Sequence, residues 1–192
     1  MHLLDSLRAD HAEITAIRRD IHAHPELAFE EHRTAALVAE RLEALGIETH
    51  RGVGQTGVVG VLRAGSSKRA IGLRADMDAL PIQEKNDFAH HSRHAGRMHA
   101  CGHDGHTAML LGAAAQLAAK PDFDGTVYFL FQPAEEGEGG APAMIADGLF
   151  ERFPMDAVFG LHNWPGLPLG QIAVHHGPVM ACADRFDIEV RG

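Results

Sequence analysis

Cysteine, histidine and carboxylate side chains, the residue types that bind metal ions, stand close together in one part of the 192-residue sequence. Cys101 and His103 are two residues apart within the segment Met98–His106. In an extended or turning loop this spacing places a thiolate and an imidazole on the same side, where both can bind one metal pair. The spacing differs from the Cys-x-x-Cys of structural zinc sites. Considered alone, the pair fits a buried free cysteine beside an exposed histidine equally well.

Further side chains of these types stand directly after three predicted strands: Asp76 and Asp78, Glu135 and Glu136, and His162. Ligands of open α/β sheets gather at the carboxyl ends of strands, so these segments and the Cys101 loop are predicted to converge at one edge. A two-metal hydrolase needs one carboxylate to hold metal and another to move a proton. Taken singly, the glutamates also fit an exposed acidic turn, the histidine a surface or polar core residue, and the aspartates a capped turn. For Asp78 we favour a carboxylate that orients a ligating imidazole.

Histidine is unusually frequent, with 15 residues in the chain. Six of them lie between positions 90 and 106, interspersed with other residues, which favours a metal site or a flexible polar loop. Three are predicted to be solvated loop residues: His90, His91 and His94. His99 and His106 flank the Cys101 and His103 pair, and either could line the same pocket.

Helical and strand patterns alternate along the chain. The spacing of apolar residues predicts the helices Leu3–Ile21 and Glu31–Leu45. A high content of alanine and leucine predicts a helix over Thr107–Lys120, and another short helix is expected at Gly139–Phe150. Short apolar runs predict the strands Thr56–Leu62, Ala70–Ala75, Thr126–Phe131, Asp156–Leu161, Gln171–His175 and Asp184–Val190. Asp104 is expected near the N-terminus of the third helix. This order predicts an α/β fold, a sheet with helices on both faces.

The composition excludes several classes of function. Apolar residues make up 45% and charged residues 22%, and the net charge of −9 argues against nucleic-acid binding. A charged N-terminus and the lack of a long apolar run predict a cytoplasmic protein with no membrane partner. Two cysteines, Cys101 and Cys182, are no disulfide framework. Phosphate-binding glycine loops and the Gly-x-Ser-x-Gly nucleophile elbow are absent from the sequence.

Six segments, taken together and in this order, resemble a known family: His24–Leu27, Arg74–Pro81, Met98–His106, Phe131–Glu136, Gly160–His162 and Gly177–Met180. The chain is similar to the amidohydrolase branch of the aminoacylase and carboxypeptidase metallopeptidases. That branch includes hippurate hydrolases, N-acyl-amino-acid amidohydrolases and plant hydrolases of indole-acetyl amino acids. The resemblance implies a zinc-peptidase-like (phosphorylase/hydrolase-like) α/β catalytic domain with a smaller inserted α+β domain that dimerises.

The resemblance also implies roles for individual residues. Cys101, His103, Glu136 and His162 are expected to bind two divalent metal ions per subunit, manganese or zinc, with nickel and cobalt as alternatives. Glu135 is expected to be the general base. In related branches a histidine ligand occupies the position of Asp76, so this residue is a departure, for which coordination by Cys101 compensates.

Members of the family are about twice as long as this chain. The resemblance therefore implies a catalytic portion over residues 1–180, the start of a truncated dimerisation domain at 181–192, and further groups, including one more histidine ligand, outside the sequence. The expected reaction is hydrolysis of small-molecule, hippurate-like N-acyl amino acids by a homodimer or higher homo-oligomer of the full-length protein. Two alternatives stay open: a dipeptidase or carboxypeptidase with the same site, and an inactive fragment that binds metal or dimerises.

Overall fold

The computed structural model describes residues 3–179 and 186–192, without the side chains of residues 3, 4 and 6. Five helices lie in this part of the chain: α1 (Leu3–Ala23), α2 (His32–Ala44), α3 (His103–Ala119), α4 (Gly140–Ala146) and α5 (Leu149–Arg152). Five strands accompany them: β1 (Glu48–Val53), β2 (Gly57–Ala64), β3 (Ala70–Asp76), β4 (Gly125–Gln132) and β5 (Ala157–Gly160). None of the described helices is both long enough and apolar enough to cross a membrane.

The five strands form one mixed sheet in the order β1-β2-β4-β3-β5. The pairs β1/β2 and β2/β4 are antiparallel, whereas β3 is parallel to both β4 and β5. Because β3, β4 and β5 run in the same direction, their carboxyl ends lie at one edge of the sheet. The side chains that follow these three strands are thereby brought to the same place.

Both faces of the sheet are covered by helices, because side chains alternate along each strand. On β4, Phe129 and Phe131 pack with apolar residues of α1, α2 and α3, while Tyr128 and Leu130 pack with residues of α4 and α5. Phe129 and Phe131 are fully buried. The predicted α/β sheet with helices on both faces is confirmed.

Two helix predictions differ in their bounds. The helix α3 begins at His103, four residues before the predicted start, so His103 and Asp104 lie in its first turn rather than in the preceding loop. Its N-cap, Gly102, has a φ of 95°, a conformation that suits glycine and lets the chain turn into the helix. The predicted helix at 139–150 is two helices, because Gly148, with a φ of 80°, separates them.

Strand predictions fail for the edge strand β1 and for the segments that follow β5 in the chain. The strand β1 was not predicted because its sequence, Glu-Thr-His-Arg-Gly-Val, shows no apolar alternation at this edge position. The predicted strand Gln171–His175 is wrong, and residues 186–190 of the predicted strand Asp184–Val190 also have no strand structure. These segments are exposed and pair with no described strand, so the apolar side chains that alternate along them are not buried against a neighbouring element of the described chain. Residues 184 and 185, and Cys182, lie outside the described residues.

The long connection between β3 and α3 is anchored to α1 by a buried histidine. His22 is 3% exposed, and its Nδ1 and Nε2 atoms lie 2.8 Å from Asp104 Oδ2 and 3.1 Å from Glu84 Oε1. The Arg18 Nε atom donates to the same Asp104 oxygen at 2.8 Å. The hydrogen bond to Asp104, opposed by burial and reinforced by Glu84, raises the pKa of His22 above its usual value.

This raised pKa makes the folding stability depend on pH. Because the imidazolium is favoured in the folded state, its contribution is complete below the unfolded pKa of about 6.5 and declines as the pH rises through the folded pKa. We expect His22→Gln to lower the free energy of unfolding at pH ~6 by about 1.5–3 kcal/mol, the range for hydrogen bonds to charged groups. The difference from the wild type should narrow as the pH rises through the raised pKa of folded His22. Denaturant titrations of the metal-free chain at several pH values measure it, and a difference that stays constant with pH would contradict the charged pairing.

Candidate metal centre

The residues singled out in the sequence lie together at the carboxyl edge of β3, β4 and β5. Cys101 lies just before α3, and His103 is its first residue. Within the part of the chain that the structure describes, potential metal-binding atoms form three groups, in each of which the atoms lie within 4.8 Å of one another: Cys101/His103/His162, Asp76/His103/His106 and His103/Glu135/Glu136. His103 belongs to all three groups, so it stands at the centre of the cluster.

The distances within the cluster suit ligands around small cations. Cys101 Sγ lies 3.4 Å from His162 Nε2. His103 Nε2 lies 3.8 Å from both Glu136 Oε1 and Glu135 Oε2. The Glu135 side chain is 41% exposed and that of Glu136 is 24% exposed, so Glu135 is the more accessible of the two carboxylates. The chain therefore brings together the four predicted ligands and the predicted base.

Asp78 orients the buried imidazole of His103. The Nδ1 atom of His103 lies 2.9 Å from the backbone oxygen of Asp78 and 3.1 Å from its Oδ1 atom. Oxygen acceptors at Nδ1 place the proton there, which leaves Nε2 free to bind a cation. Although burial lowers the pKa of His103, the bond to Asp78 and the surrounding carboxylates raise it above its usual value. Asp78 is therefore placed where it can orient His103, and its role beside a bound metal stays a prediction.

The donor set fits divalent metal ions. His103 Nε2 and Glu136 Oε1 are buried side-chain atoms that find no hydrogen-bond partner within the described chain, although buried polar atoms are nearly always satisfied. Burial, followed by the nearby Glu136 and Glu135 carboxylates, raises the pKa of the Cys101 thiol to about 12. A cation at this position offsets both the unsatisfied atoms and the concentrated negative charge. Sulfur, nitrogen and oxygen donors together are typical of zinc and related transition metals.

Asp76 has hydrogen-bond partners at both carboxylate oxygens. Its Oδ1 atom accepts a hydrogen bond from His106 Nδ1 at 2.6 Å, and its Oδ2 atom accepts one from Arg74 Nη1 at 2.7 Å. Although burial raises the pKa of Asp76, His106, His103 and Arg74 hold it at about 2. A carboxylate committed in this way acts as a fixed charge beside His103, whose Nε2 is 3.6 Å away.

His106 connects this carboxylate to the segment that carries His162. Its Nε2 atom accepts the backbone N–H of Asn163 at 3.0 Å, and the His106 and His162 rings lie 4.5 Å apart. Gly102 leaves room for the side chain of Asn163, because an added Cβ atom there would lie 2.2 Å from its side-chain amide nitrogen. The sequence placed His106 only near the pocket. Its contacts with Asp76 and Asn163 join segments that are 30 and 57 residues apart, and the spacing of residues in the sequence does not reveal them.

The other histidines of the loop differ from one another. His91 and His94 are exposed, as predicted. His90 is half-buried rather than solvated, because its ring stacks on Phe88 at 4.2 Å and one nitrogen contacts Arg18. His99 is 4% exposed, and burial chiefly lowers its pKa to about 4. Its ring lies 6.3 Å from the His22 ring, and His99 belongs to none of the three groups of potential metal ligands found among the described residues.

Comparison with known sequences identifies the family. The pattern of Peptidase family M20/M25/M40 matches residues 72–191, which include every potential metal-binding residue described above. The chain belongs to peptidase family M20/M25/M40. This membership agrees with the resemblance found in the motifs, since the family match covers Arg74–Pro81, Met98–His106, Phe131–Glu136 and Gly160–His162.

Two curated relatives of this family member can be aligned with it over its whole length. It is 50% identical over 192 residues to a protein named hippurate hydrolase from Campylobacter jejuni. It is 46% identical over 200 residues to thermostable carboxypeptidase 1 of Saccharolobus solfataricus. In both cases the match covers 100% of this chain and 50% of the relative. The chain thus spans about half the length of the curated relatives it matches.

A solved structure supports the same grouping. The YXEP protein of Bacillus subtilis, described as a dinuclear metal-binding peptidase of the M20 family, superposes with a TM-score of 0.84 at 42% identity. The superposition covers 89% of this chain and 48% of that protein. The fold of the family member described here therefore agrees with that of an experimentally determined relative.

Proposed function

We propose that the chain carries most of the active site of a metal-dependent amidohydrolase that cleaves the amide bond of N-acyl amino acids. The observation that carries the proposal is the position of Glu135 Oε2, 3.8 Å from the Nε2 atom of His103, a residue that belongs to all three groups of potential metal ligands in the described chain. A half-exposed carboxylate beside such a centre is suited to proton transfer.

Cys101, His103, Glu136 and His162 would hold two divalent ions per subunit. When bound, such ions supply a water of lowered pKa and polarise the carbonyl under attack. Manganese or zinc is proposed, with nickel and cobalt as alternatives, because a mixed donor set selects weakly among these metals. The description of the YXEP protein as dinuclear supports the number of ions.

The roles of the chain's own residues follow from their contacts. Glu135 accepts the proton of the attacking water at its carboxylate and returns it to the nitrogen of the leaving amine as the C–N bond breaks. Asp78 fixes the tautomer of His103, and the charge of Asp76 favours the cationic centre. The products are a carboxylic acid and a free amino acid.

The relatives' names support two neighbouring substrate classes. The hippurate hydrolase of Campylobacter jejuni, at 50% identity, favours a small N-acyl amino acid. The second candidate is a peptide bond cleaved by the same active site, and the carboxypeptidase of Saccharolobus solfataricus, at 46% identity, favours it. We further propose a cytoplasmic protein that forms a homodimer or higher homo-oligomer, with residues 1–180 belonging to the catalytic domain and residues 181–192 beginning a dimerisation domain.

Hydrolysis assays separate these candidates. We expect the full-length protein, stripped of metal and reloaded with manganese or zinc, to release benzoate and glycine from hippurate with kcat/KM at least ~10-fold above that for unblocked dipeptides or carboxypeptidase substrates. The factor corresponds to about 1.4 kcal/mol of transition-state preference. The opposite ranking would favour the peptidase, and bound metal without turnover of any substrate would leave a metal-binding role only.

A further inference from the structure

A fully buried glutamate far from the metal centre in sequence reaches the loop that carries the two active-site glutamates. Glu31 precedes α2 and is 0% exposed. Its Oε1 atom accepts the backbone N–H of Ala134 at 2.8 Å, and its Oε2 atom accepts the hydroxyl of Thr56 at 2.5 Å. Ala134 immediately precedes Glu135 and Glu136. The carboxylate of Glu31 thus joins the start of α2, the start of β2 and the end of β4.

The backbone at Ala134 has an unfavourable conformation. Its φ is +49°, in the left-handed region that residues with a Cβ atom rarely adopt, and the residue is fully buried. Such a conformation persists only where several contacts from the surrounding structure hold the backbone in place. Here the Ala134 N–H is bound by Glu31, and the Ala134 carbonyl accepts the N–H of Gly140 at 2.9 Å. Gly140 cannot carry a side chain, since a Cβ atom would lie 1.6 Å from the Pro133 oxygen.

A second buried carboxylate holds the other side of the same turn. Asp78 Oδ2 accepts the backbone N–H of Glu136 at 2.9 Å, while Asp78 Oδ1 contacts His103. The backbone of Ala134 is therefore tied to Glu31 and that of Glu136 to Asp78. Glu135 lies between these two attachments, and its side chain is left to project beside His103.

We infer that Glu31 is a positioning residue, which sets the directions of Glu135 and Glu136 by holding Ala134 in its left-handed conformation. The inference rests on the proposed function for its catalytic consequence, but the backbone restraint is independent of that function. Among the described residues, the Glu31 carboxylate forms its hydrogen bonds with Thr56 and Ala134 rather than with a potential metal ligand, so its effect on the ligands passes through the turn.

The ionised form of Glu31 is not required for this role. Burial raises the pKa of Glu31, opposed by the hydrogen bonds from Thr56 and Ala134. A glutamine oxygen can accept the Ala134 N–H as well, and its amide can donate to the Thr56 hydroxyl. The conservative variant should therefore keep the turn in place.

Amide hydrogen exchange of the metal-free chain tests the restraint directly. Glu31→Ala should speed exchange at Ala134 and Glu136 by at least ~10-fold beyond any change in global stability, whereas Glu31→Gln should preserve their protection. If the alanine variant does not fold, Glu31→Asp, which is one methylene too short to reach Ala134, takes its place. Unchanged protection at both amides would overturn the inference.

Metal binding and turnover of the full-length protein test the consequence. We expect Glu31→Ala to lower manganese affinity and kcat by about 10–100-fold, the range for groups that orient ligands, with little change in KM. Glu31→Gln should restore both values. Adding Ala134→Gly to Glu31→Ala should restore part of the loss, because glycine adopts the left-handed conformation without steric cost.

The adjacent Glu30 provides a matched control. It is 56% exposed and pairs with Arg97, so Glu30→Ala should leave exchange, affinity and kcat unchanged. A Glu31→Ala protein that is less stable yet binds metal and turns over normally would reduce Glu31 to a structural residue and overturn the inference. If the wild type binds metal but hydrolyses none of the substrates, the proposed function fails, while the affinities of the variants still decide the role of Glu31.

Discussion

Replacing Glu135 by glutamine is expected to lower kcat by about 10²–10⁴-fold while leaving bound metal unchanged. The range is that of general acid–base catalysis and corresponds to about 3–5 kcal/mol of activation free energy. The physical reason is that an amide of the same shape cannot accept a proton from the attacking water. Glu135 is 41% exposed, so the substitution should not disturb packing. Steady-state kinetics on an N-acyl amino acid, with metal content measured on the same samples, provide the test.

Two other glutamates of the same loop serve as controls. Glu136→Gln is the identical chemical change one residue away, but it alters a proposed metal ligand. The Oε1 atom of Glu136 is buried, lies 3.8 Å from His103 Nε2 and has no hydrogen-bond partner in the described chain. We expect that variant to lose metal affinity as well as activity. Glu138 is exposed, and Glu138→Gln should change neither. Retention of wild-type kcat in Glu135→Gln would remove Glu135 from the role of base, and loss of metal would make it a ligand.

Replacing His103 by alanine is expected to have the largest effect on metal binding. His103 belongs to all three groups of potential ligands in the described chain, so one substitution should weaken every site in the cluster. Loss of an orienting partner alone typically costs about 10–100-fold in affinity, and removal of a shared ligand should cost more than ~100-fold. Titration calorimetry with manganese or zinc measures this, and cobalt absorption reports whether the Cys101 thiolate still binds.

The same substitution has a smaller effect on the metal-free fold. It leaves the buried Asp78 Oδ1 atom without its imidazole partner, at a cost of about 1–3 kcal/mol in unfolding free energy. His91→Ala is the matched control, because His91 belongs to the same histidine-rich region but is exposed. It should leave affinity unchanged. If His103→Ala binds two metal ions as tightly as the wild type, the donor groups that share His103 do not form the metal centre.

The elements that position the site were predictable to different degrees. Strands β3 and β4 carry short, mainly apolar runs, so their bounds were predicted to within about a residue at each end. The first turn of α3 was missed because Gly105 and the surrounding histidines lower local helix propensity, which packing of the helix on the sheet overrides. The predicted strand Gln171–His175 has no described strand to pair with, and periodicity alone cannot supply one.

The order of residue types in the sequence was enough to predict the kind of site. A Cys/His pair and carboxylates after apolar strands imply convergence at one sheet edge, because parallel strands end together. The motifs around Cys101, Glu135 and His162 were also enough to indicate the family, which the match over residues 72–191 establishes.

Only the tertiary structure decided which groups support these residues. Asp76 is tied to His106, which is 30 residues away along the chain, and Ala134 is held by Glu31, which is 103 residues away. Such contacts join elements that are distant in sequence, and their donors and acceptors pair according to burial rather than spacing. The sequence thus singled out the side chains that we propose bind metal and move a proton. Packing determined how each of them is oriented, because the hydrogen-bond partners of a buried side chain come from whichever segments the fold places beside it.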